Sequence, residues 1–414
     1  VLDMMGDKLS AKQIAIACDV PITPGTSEPL KSREEAQKLA MEFGFPVILK
    51  AAAGGGGRGM RRCETVEEVG VNFDLVKSEA LKSFGNDDIF MEKYLVNPKH
   101  IEVQVLADEH GHVVHLYERD CSLQRRYQKV VEFTPAFSVS KETKEKLYKD
   151  AVKIAKHVGY TNAGTLEFLV DKDENYYFIE MNPRIQVEHT VTEMVTGIDL
   201  VRAQILVAEG YELSDERIGI KSQKDVKQNG YAIQCRVTTE DPTNNFAPDT
   251  GTITGYKVSG GFGVRMDEAT RGTGAIISPY YDSLLVKVTT WDNTFAMCCS
   301  KAERAIREIH VRGVKTNVAF ITNVLNDPTF RAGKCYTKFI DETPSLFKID
   351  NREDRATKML KYIAAKSLEN KSINQTFDPP RFPVAAGERK PGLKQLLDAK
   401  GPAAVSKWVM EQKK

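Results

Sequence analysis

Between Gly164 and His189 a strand signal, a turn and a second strand signal run into a cluster of polar residues, and this stretch constrains the chain more than any other. Gly164-Thr-Leu-Glu-Phe-Leu-Val170 and Tyr176-Tyr-Phe-Ile179 are rich in β-branched and aromatic side chains, which suit a pleated, half-buried surface. Asp171-Lys-Asp-Glu-Asn175 between them is turn chemistry, and Pro183 ends the second strand because proline has no N–H for the ladder. A hairpin is therefore predicted. A turn centred between Asp173 and Glu174 sets Glu167 opposite Glu180. Opposed Cβ atoms lie roughly 5 Å apart, where like charges are destabilising, so the pair makes most sense around a divalent cation. Asn182 shares their face two residues on. The plain alternative is two solvated glutamates on an open sheet face.

A chain of 414 residues, 41% apolar and 28% charged, has the composition of a soluble globular protein able to bury two or three cores. With 58 basic against 57 acidic residues, nothing supports nucleic acid or a membrane surface as a general partner. Cys18, Cys63, Cys121, Cys235, Cys298, Cys299 and Cys335 form no Cys-x-x-Cys pair; that spacing suits a reducing compartment such as the cytoplasm and argues against zinc. The chain opens at Val1 on sequence of interior character, and is expected to be part of a longer polypeptide.

Several other stretches carry chemistry. Pro46 to Ala53 reads as a strand, and Gly54-Gly-Gly-Gly-Arg-Gly59 after it matches the letters of a dinucleotide fingerprint. That fingerprint needs a helix at the glycines, whereas the next helix start is Thr65, with Glu68 as its capping-box partner. A flexible hairpin remains, whose backbone N–H groups at Gly55, Gly56 and Gly57 could close over phosphates, with Lys50 beside it. Lys8 sits at the start of a helical pattern. Ile89 to Leu95 leads into the turn signal Asn97-Pro98. Arg119, Arg125, Arg126 and Lys129, interleaved with Gln124 and Gln128, look more like an anion-binding strip than a solvated face. Lys141 to His157 reads as a scaffold helix closed by Gly159, Thr190-x-x-Glu193 as the cap of another, and Asp199 to Glu209 as an apolar helix ended by Gly210. From Gly230 the texture changes to short strands, Tyr231 to Val237 and Gly251 to Tyr256. Phe295 to Ile309 and Asn317 to Leu325 read as helices, Asn370 to Arg389 as a linker, and 391–408 as a short helical tail.

Glu167 followed by Glu180-Met-Asn-Pro-Arg-Ile-Gln-Val-Glu188, together with Arg119-Asp-Cys-Ser-Leu-Gln-Arg-Arg-Tyr-Gln-Lys129 and Arg236, resembles the biotin carboxylases of the ATP-grasp superfamily. The resemblance implies an α/β (α+β) chain. An ATP-grasp domain would cover 1–210 with a lid at about 25–95, a smaller biotin carboxylase C-terminal domain 211–348, and a linker and tail 349–414. The tail resembles the bridge towards the carboxyltransferase part of pyruvate carboxylases rather than acetyl-CoA or propionyl-CoA carboxylases. The implied cofactors are ATP, Mg²⁺ or Mn²⁺, and biotin on a carrier domain outside this chain. Lys8, Lys50 and the glycines would meet the ATP phosphates, and Glu92, Lys93, Tyr94, Leu95, His100 and Gln124 the nucleoside. Glu167, Glu180 and Asn182 would hold the metal. Lys129, Arg184, Gln186 and the Val187 backbone would position bicarbonate, Glu188 would act as general base, and Arg236 would stabilise the biotin enolate. Tyr127 departs from the family histidine. Phe262 and Arg265 match a dimer interface within a tetramer. The same relatives begin with an amino-terminal α/β domain that does not precede Val1 here, so a non-catalytic assembly fragment is the reading from another class.

Overall fold

The computed structural model describes residues 2–6, 8–26, 28–52, 59–269, 272–349, 359–364 and 366, with the side chains of Leu2, Asp3, Lys8, Leu9 and Phe84 set aside. It divides into two units, Val1–Ile349 and Asp350–Lys414. In the second, 359–364 and 366 are described and are helical. The expected linker and tail lie outside the described residues, as do Gly55, Gly56 and Gly57.

β1 (Val47–Ala51), β2 (Met60–Cys63) and β3 (Ile89–Lys93) form an antiparallel sheet with β1 in the middle. Lys50 pairs with Met60, so the described strands on either side of the glycine run are antiparallel neighbours, and the next described helix begins at Val66. Helices Arg33–Phe43 and Val66–Phe84 bury Ala36, Ala40, Val69, Phe73 and Val76 against Val47, Leu49 and Met91. Thr65 caps the second by accepting from Glu68 N. Glu68 does not complete the predicted capping box; its carboxylate accepts from Glu64 N at 2.7 Å.

Eight further strands make one antiparallel sheet: β4 (Lys99–Ala107), β5 (Val113–Arg125), β6 (Gln128–Thr134), β7 (Asn162–Val170), β8 (Tyr176–Asn182), β9 (Tyr231–Thr238), β10 (Val264–Glu268) and β11 (Leu284–Asp292). Their order is β10-β11-β9-β6-β5-β4-β7-β8. β6 pairs with β9 from Val131↔Cys235 to Thr134↔Ala232, so strands from both sides of residue 210 share one ladder. Gly251 to Tyr256, read as one strand, is instead split into Gly251–Thr252 and Gly255–Lys257, which belong to different two-stranded sheets.

β4 shows why the large sheet carries a site. Ile101, Val103 and Val105 point into a core with Leu147, Ala151 and Ile154 of the helix Lys141–His157 and with Phe168 and Phe178; each fully buried aromatic there is worth about 2 kcal/mol. His100, Glu102 and Gln104 alternate with them on the other face and are buried too. The β7–β8 hairpin pairs Glu167 with Glu180, but not through the predicted turn centre between Asp173 and Glu174. Near the turn Val170 pairs with Tyr176 and Phe168 with Phe178, and a bulge at Ile179 shifts the register before Glu167.

The helix His189–Thr196 lacks the predicted threonine cap. Its N-cap position is Glu188, with no side-chain capping bond. The Thr190 hydroxyl instead donates to Gln234 Oε1 at 2.5 Å and meets Thr289 Oγ1 at 2.7 Å, while Glu193 accepts from Leu200 N at 2.7 Å. Asp199 caps the next helix, Leu200–Ala208, by accepting from Arg202 N. Helices Phe295–Arg307 and Val318–Asn326 close a core with Val237, Val286 and Val288.

Candidate active site

β4, β5, β6, β7 and β9 line up their polar faces beneath the loop that follows β8, around a cavity of about 1030 Å³. Its walls include Lys50, Glu92, Lys93, Tyr94, Leu95, His100, Gln124, Lys129, Glu167, Glu180, Asn182, Arg184, Gln186, Val187, Glu188 and Arg236. Every sequence-predicted site residue whose side chain is described is therefore brought to one cavity. Lys8 opens the helix Lys8–Ala17, but its side chain is outside the described residues.

Lys129 is the hub. Its Nζ donates to Glu102, to Glu167 Oε1 at 2.9 Å and to Glu188 Oε1 at 2.8 Å. Arg236 joins Glu188 to one further carboxylate, donating from Nε to Glu132 Oε1 at 2.5 Å and from Nη2 to Glu188 Oε2 at 2.9 Å. Arg119, fully buried, donates to Glu102, Gln104, Thr165, Thr192 and Gln186. Gln186 then donates to Glu167 Oε1 at 2.9 Å, as does Asn182. His100 Nε2 lies 3.0 Å from Glu167 Oε2 and 3.3 Å from Glu102 Oε1.

Burial opposes every charge here, so the pairing decides each state. Burial would lower the His100 pKa, yet Glu167 and Glu102 raise it to about 9, leaving an imidazolium at neutral pH. Burial and Glu102 push Glu188 up, but Lys129, Arg236 and Arg119 outweigh them and hold it below its usual value. Glu167 is likewise lowered against burial, by His100 and Lys129. Glu132 goes the other way: burial raises it despite Arg236. Four cationic groups thus face four carboxylates, and Glu188 is ionised, which is the state a proton acceptor needs.

The nucleoside end is built differently. Glu92 is buried and paired with both Lys12 and Lys50, the latter at 2.5 Å. The Lys93 ammonium turns away from the cavity to Gly44 O and Phe45 O at 2.9 and 3.0 Å. Arg62 of β2 stacks over the Tyr94 ring at 4.5 Å. Arg184 is exposed and donates to Asn182 Oδ1 at 3.1 Å. The expected anion strip is divided: Arg119 is consumed inside the sheet, and Arg125 stacks on Phe246 at 4.2 Å and donates to Asn245. Tyr127 sits at the β5–β6 turn with a φ of 66° and 47% exposure. Not singled out from the sequence are Lys12, Glu102, Glu132 and Lys287, whose Nζ donates to Val187 O at 3.1 Å. Alternation along β4 and β9 could have flagged Glu102, because a carboxylate at an inward position of a central strand needs a partner.

Glu167, Glu180 and Asn182 offer two carboxylates and an amide. The carboxylate oxygens fit Mg²⁺ or Mn²⁺ and not a soft metal; the Asn182 amide donates from Nδ2 to Glu167 Oε1 at 2.9 Å while its Oδ1 accepts from Arg184.

A three-stranded sheet beside a large antiparallel sheet with convergent carboxylates defines an ATP-grasp protein. Residues 7–216 match the family described as carbamoyl-phosphate synthase L chain, ATP binding domain, and 234–342 match the biotin carboxylase C-terminal domain. The biotin carboxylase domain of the Hydrogenobacter thermophilus 2-oxoglutarate carboxylase, solved as a dimer with MgADP, ADP and bicarbonate, is 46% identical with a TM-score of 0.81, covering 84% of this chain and 76% of that one. The chain belongs to the biotin carboxylase family. Pyruvate carboxylase of Staphylococcus aureus is 50% identical over 419 residues, 99% of this chain and 36% of that protein. The mitochondrial pyruvate carboxylase of Mus musculus is 49% identical over 416 residues, 99% of this chain and 35% of that protein. The chain spans about a third of the length of these relatives.

Proposed function

We propose that this chain carboxylates biotin with bicarbonate at the expense of ATP, the first half-reaction of a pyruvate carboxylase that converts pyruvate to oxaloacetate. The observation that carries the reading is the junction at Glu188, whose two oxygens are held by Lys129 on one side and Arg236 on the other. A base that takes the bicarbonate proton and a cation for the acceptor are thereby joined at one carboxylate. Glu188 Oε1 accepts that proton, and the freed carbonate oxygen attacks the γ-phosphorus of ATP, releasing ADP and giving carboxyphosphate. Lys129, Arg184, Gln186 and the Val187 backbone hold the anion in line; Lys287 and Arg119 fix Val187 and Gln186 from behind. Decomposition of carboxyphosphate yields CO₂ and phosphate, and the phosphate removes the ureido proton of the acceptor. Arg236 faces the ureido oxygen, where negative charge develops.

Glu167, Glu180 and Asn182 hold Mg²⁺ or Mn²⁺, which when bound offsets the phosphate charge. Lys8, Lys50 and the glycine hairpin meet the phosphates, and Glu92 to Leu95, His100 and Gln124 the nucleoside. The biotinylated carrier is a partner outside this chain. The domain division proposed lies at 210/211 and 348/349; the two matched families, over 7–216 and 234–342, support two domains without fixing either boundary. The pyruvate assignment rests on relatives that match nearly the whole chain, tail included. Dimerisation through Phe262, 85% exposed, and Arg265 accords with the dimeric neighbour, a tetramer being the assembly of the whole enzyme. The location is the cytoplasm, or the mitochondrial matrix in an animal. Bicarbonate-dependent ATP hydrolysis with and without free biotin tests the reading. Stimulation by biotin is expected, and hydrolysis indifferent to both bicarbonate and biotin would overturn it.

A further inference from the structure

Between β8 and the helix His189–Thr196, the turn that carries Gln186, Val187 and Glu188 is held by its carbonyls. Gln186 O accepts from the His189 ring at 2.8 Å and from His189 N at 3.3 Å, and Val187 O accepts from Lys287 Nζ at 3.1 Å. A carbonyl only accepts, so the ring nitrogen facing it, Nδ1, carries the hydrogen. His189 is buried. At the other edge of its ring Nε2 lies 3.7 Å from Glu193 Oε2, and that carboxylate is occupied by Arg265 Nη1 at 2.5 Å and Leu200 N at 2.7 Å. Burial lowers the His189 pKa, and Lys287 and Arg265 act the same way against Gln186 O and Glu193. The ring is therefore neutral at neutral pH, and its one N–H goes to Gln186 O.

A single peptide joins this contact to the cavity. The bond from Gln186 to Val187 is trans, so the Gln186 C=O and the Val187 N–H lie in one plane and point in opposite directions. A carbonyl drawn to the His189 ring turns that N–H away from the ring. Val187 lines the cavity beside Gln186 and Glu188, and among the described residues no acceptor takes its N–H. We propose that His189 is a positioning residue for the anion, fixing through Gln186 O the peptide whose N–H meets bicarbonate. The inference rests on the carboxylation reading above. Without the ring donor, only the 3.3 Å bond from His189 N remains to hold Gln186 O. The peptide can then rotate and its N–H leaves the anion, while the nucleoside end of the cavity keeps its contacts.

The test compares three substitutions in the full-length protein by steady-state ATP hydrolysis, with bicarbonate and ATP varied in turn. His189→Asn keeps an N–H near the place of Nδ1, His189→Gln carries the same amide one methylene further out, and His189→Phe keeps a ring and removes the donor. His189→Phe and His189→Gln should raise the KM for bicarbonate roughly tenfold while the KM for ATP stays within about twofold, and His189→Asn should remain within about threefold of the unaltered protein. The same KM for bicarbonate in the Asn and Gln variants, or parallel rises in both KM values, overturns the proposal, because a general loosening of the helix does not depend on where the donor sits. Should His189→Phe not fold, the comparison of Asn with Gln decides. ATP hydrolysis indifferent to bicarbonate in the unaltered protein overturns the functional reading and this proposal together. Bicarbonate dependence with a KM that no substitution moves overturns the proposal alone.

Discussion

Arg119→Lys isolates what a buried cation contributes when its charge is kept and its shape is lost. Arg119 is fully buried and makes six donor contacts, to Glu102, Gln104, Thr165, Thr192 and Gln186. A lysine ammonium brings three donors to one point, so at least half of those contacts disappear. At about 1–1.5 kcal/mol for each buried bond, the expected loss is about 3–4 kcal/mol, within the range for breaking a buried charge pair. The functional effect follows from Gln186. Arg119 holds its Oε1 at 3.0 Å while its Nε2 faces Glu167; without the arginine the amide can turn, and the KM for bicarbonate should rise roughly tenfold with little change in the KM for ATP. Urea unfolding and steady-state kinetics read both. Arg304→Ala, which breaks the exposed pair with Glu308 at 3.0 Å, is the control and should stay within about 0.5 kcal/mol. A loss for Arg119→Lys no larger than the control's, or equal rises in both KM values, would refute the reasoning.

Glu188→Gln should abolish bicarbonate-dependent ATP cleavage while ATP binding stays within about threefold; unchanged turnover removes Glu188 from the role of base. Glu180→Gln should raise the Mg²⁺ concentration for half-maximal activity by about tenfold or more, and an unaltered Mg²⁺ response would take Glu180 out of the metal site. His115 gives a pH effect far from the chemistry. Burial lowers its pKa to about 4, so below about 6.5 the unfolded chain takes up a proton that the folded chain refuses. Stability is therefore complete above that pH and falls as pH drops towards 4, by on the order of 2 kcal/mol between pH 7.5 and 5. His115→Phe, which keeps the stack on Tyr148 at 4.3 Å, should flatten the pH dependence of the urea midpoint; an unchanged slope would rule His115 out.

The sequence made legible what local chemistry determines. Turn residues and Pro183 were enough to read the hairpin, but the pairing of Glu167 with Glu180 depends on the bulge, since the register at the turn alone would set Glu167 against Ile179. The bulge at Ile179 was not legible, because nothing in Tyr-Tyr-Phe-Ile marks which residue leaves the ladder. Thr190 failed as a cap for a tertiary reason: Gln234 and Thr289 compete for its hydroxyl, and both come from strands far along the chain. Arg119 read as part of an anion-binding strip, and its internal role was hidden because its partners lie on β4 and in the helix His189–Thr196. Charge alternation within one segment says nothing about the strand that will cover it. The roles at the site came from resemblance; the geometry adds the supports behind them, Lys287 behind Val187 and Glu132 behind Arg236.

The pairing of β6 with β9 has a mechanical consequence. Lys129 and Arg236 ride on neighbouring strands joined by ladder bonds from Val131 to Thr134, so on the proposed function the bicarbonate and acceptor positions would form one stiff plate. Loading either substrate would then not slide one against the other, and motion would be expected in the small sheet of β1, β2 and β3, a sheet separate from the plate. Amides of β9 should then exchange with solvent only on global unfolding, while those of β2 exchange through local opening whose rate follows nucleotide occupancy.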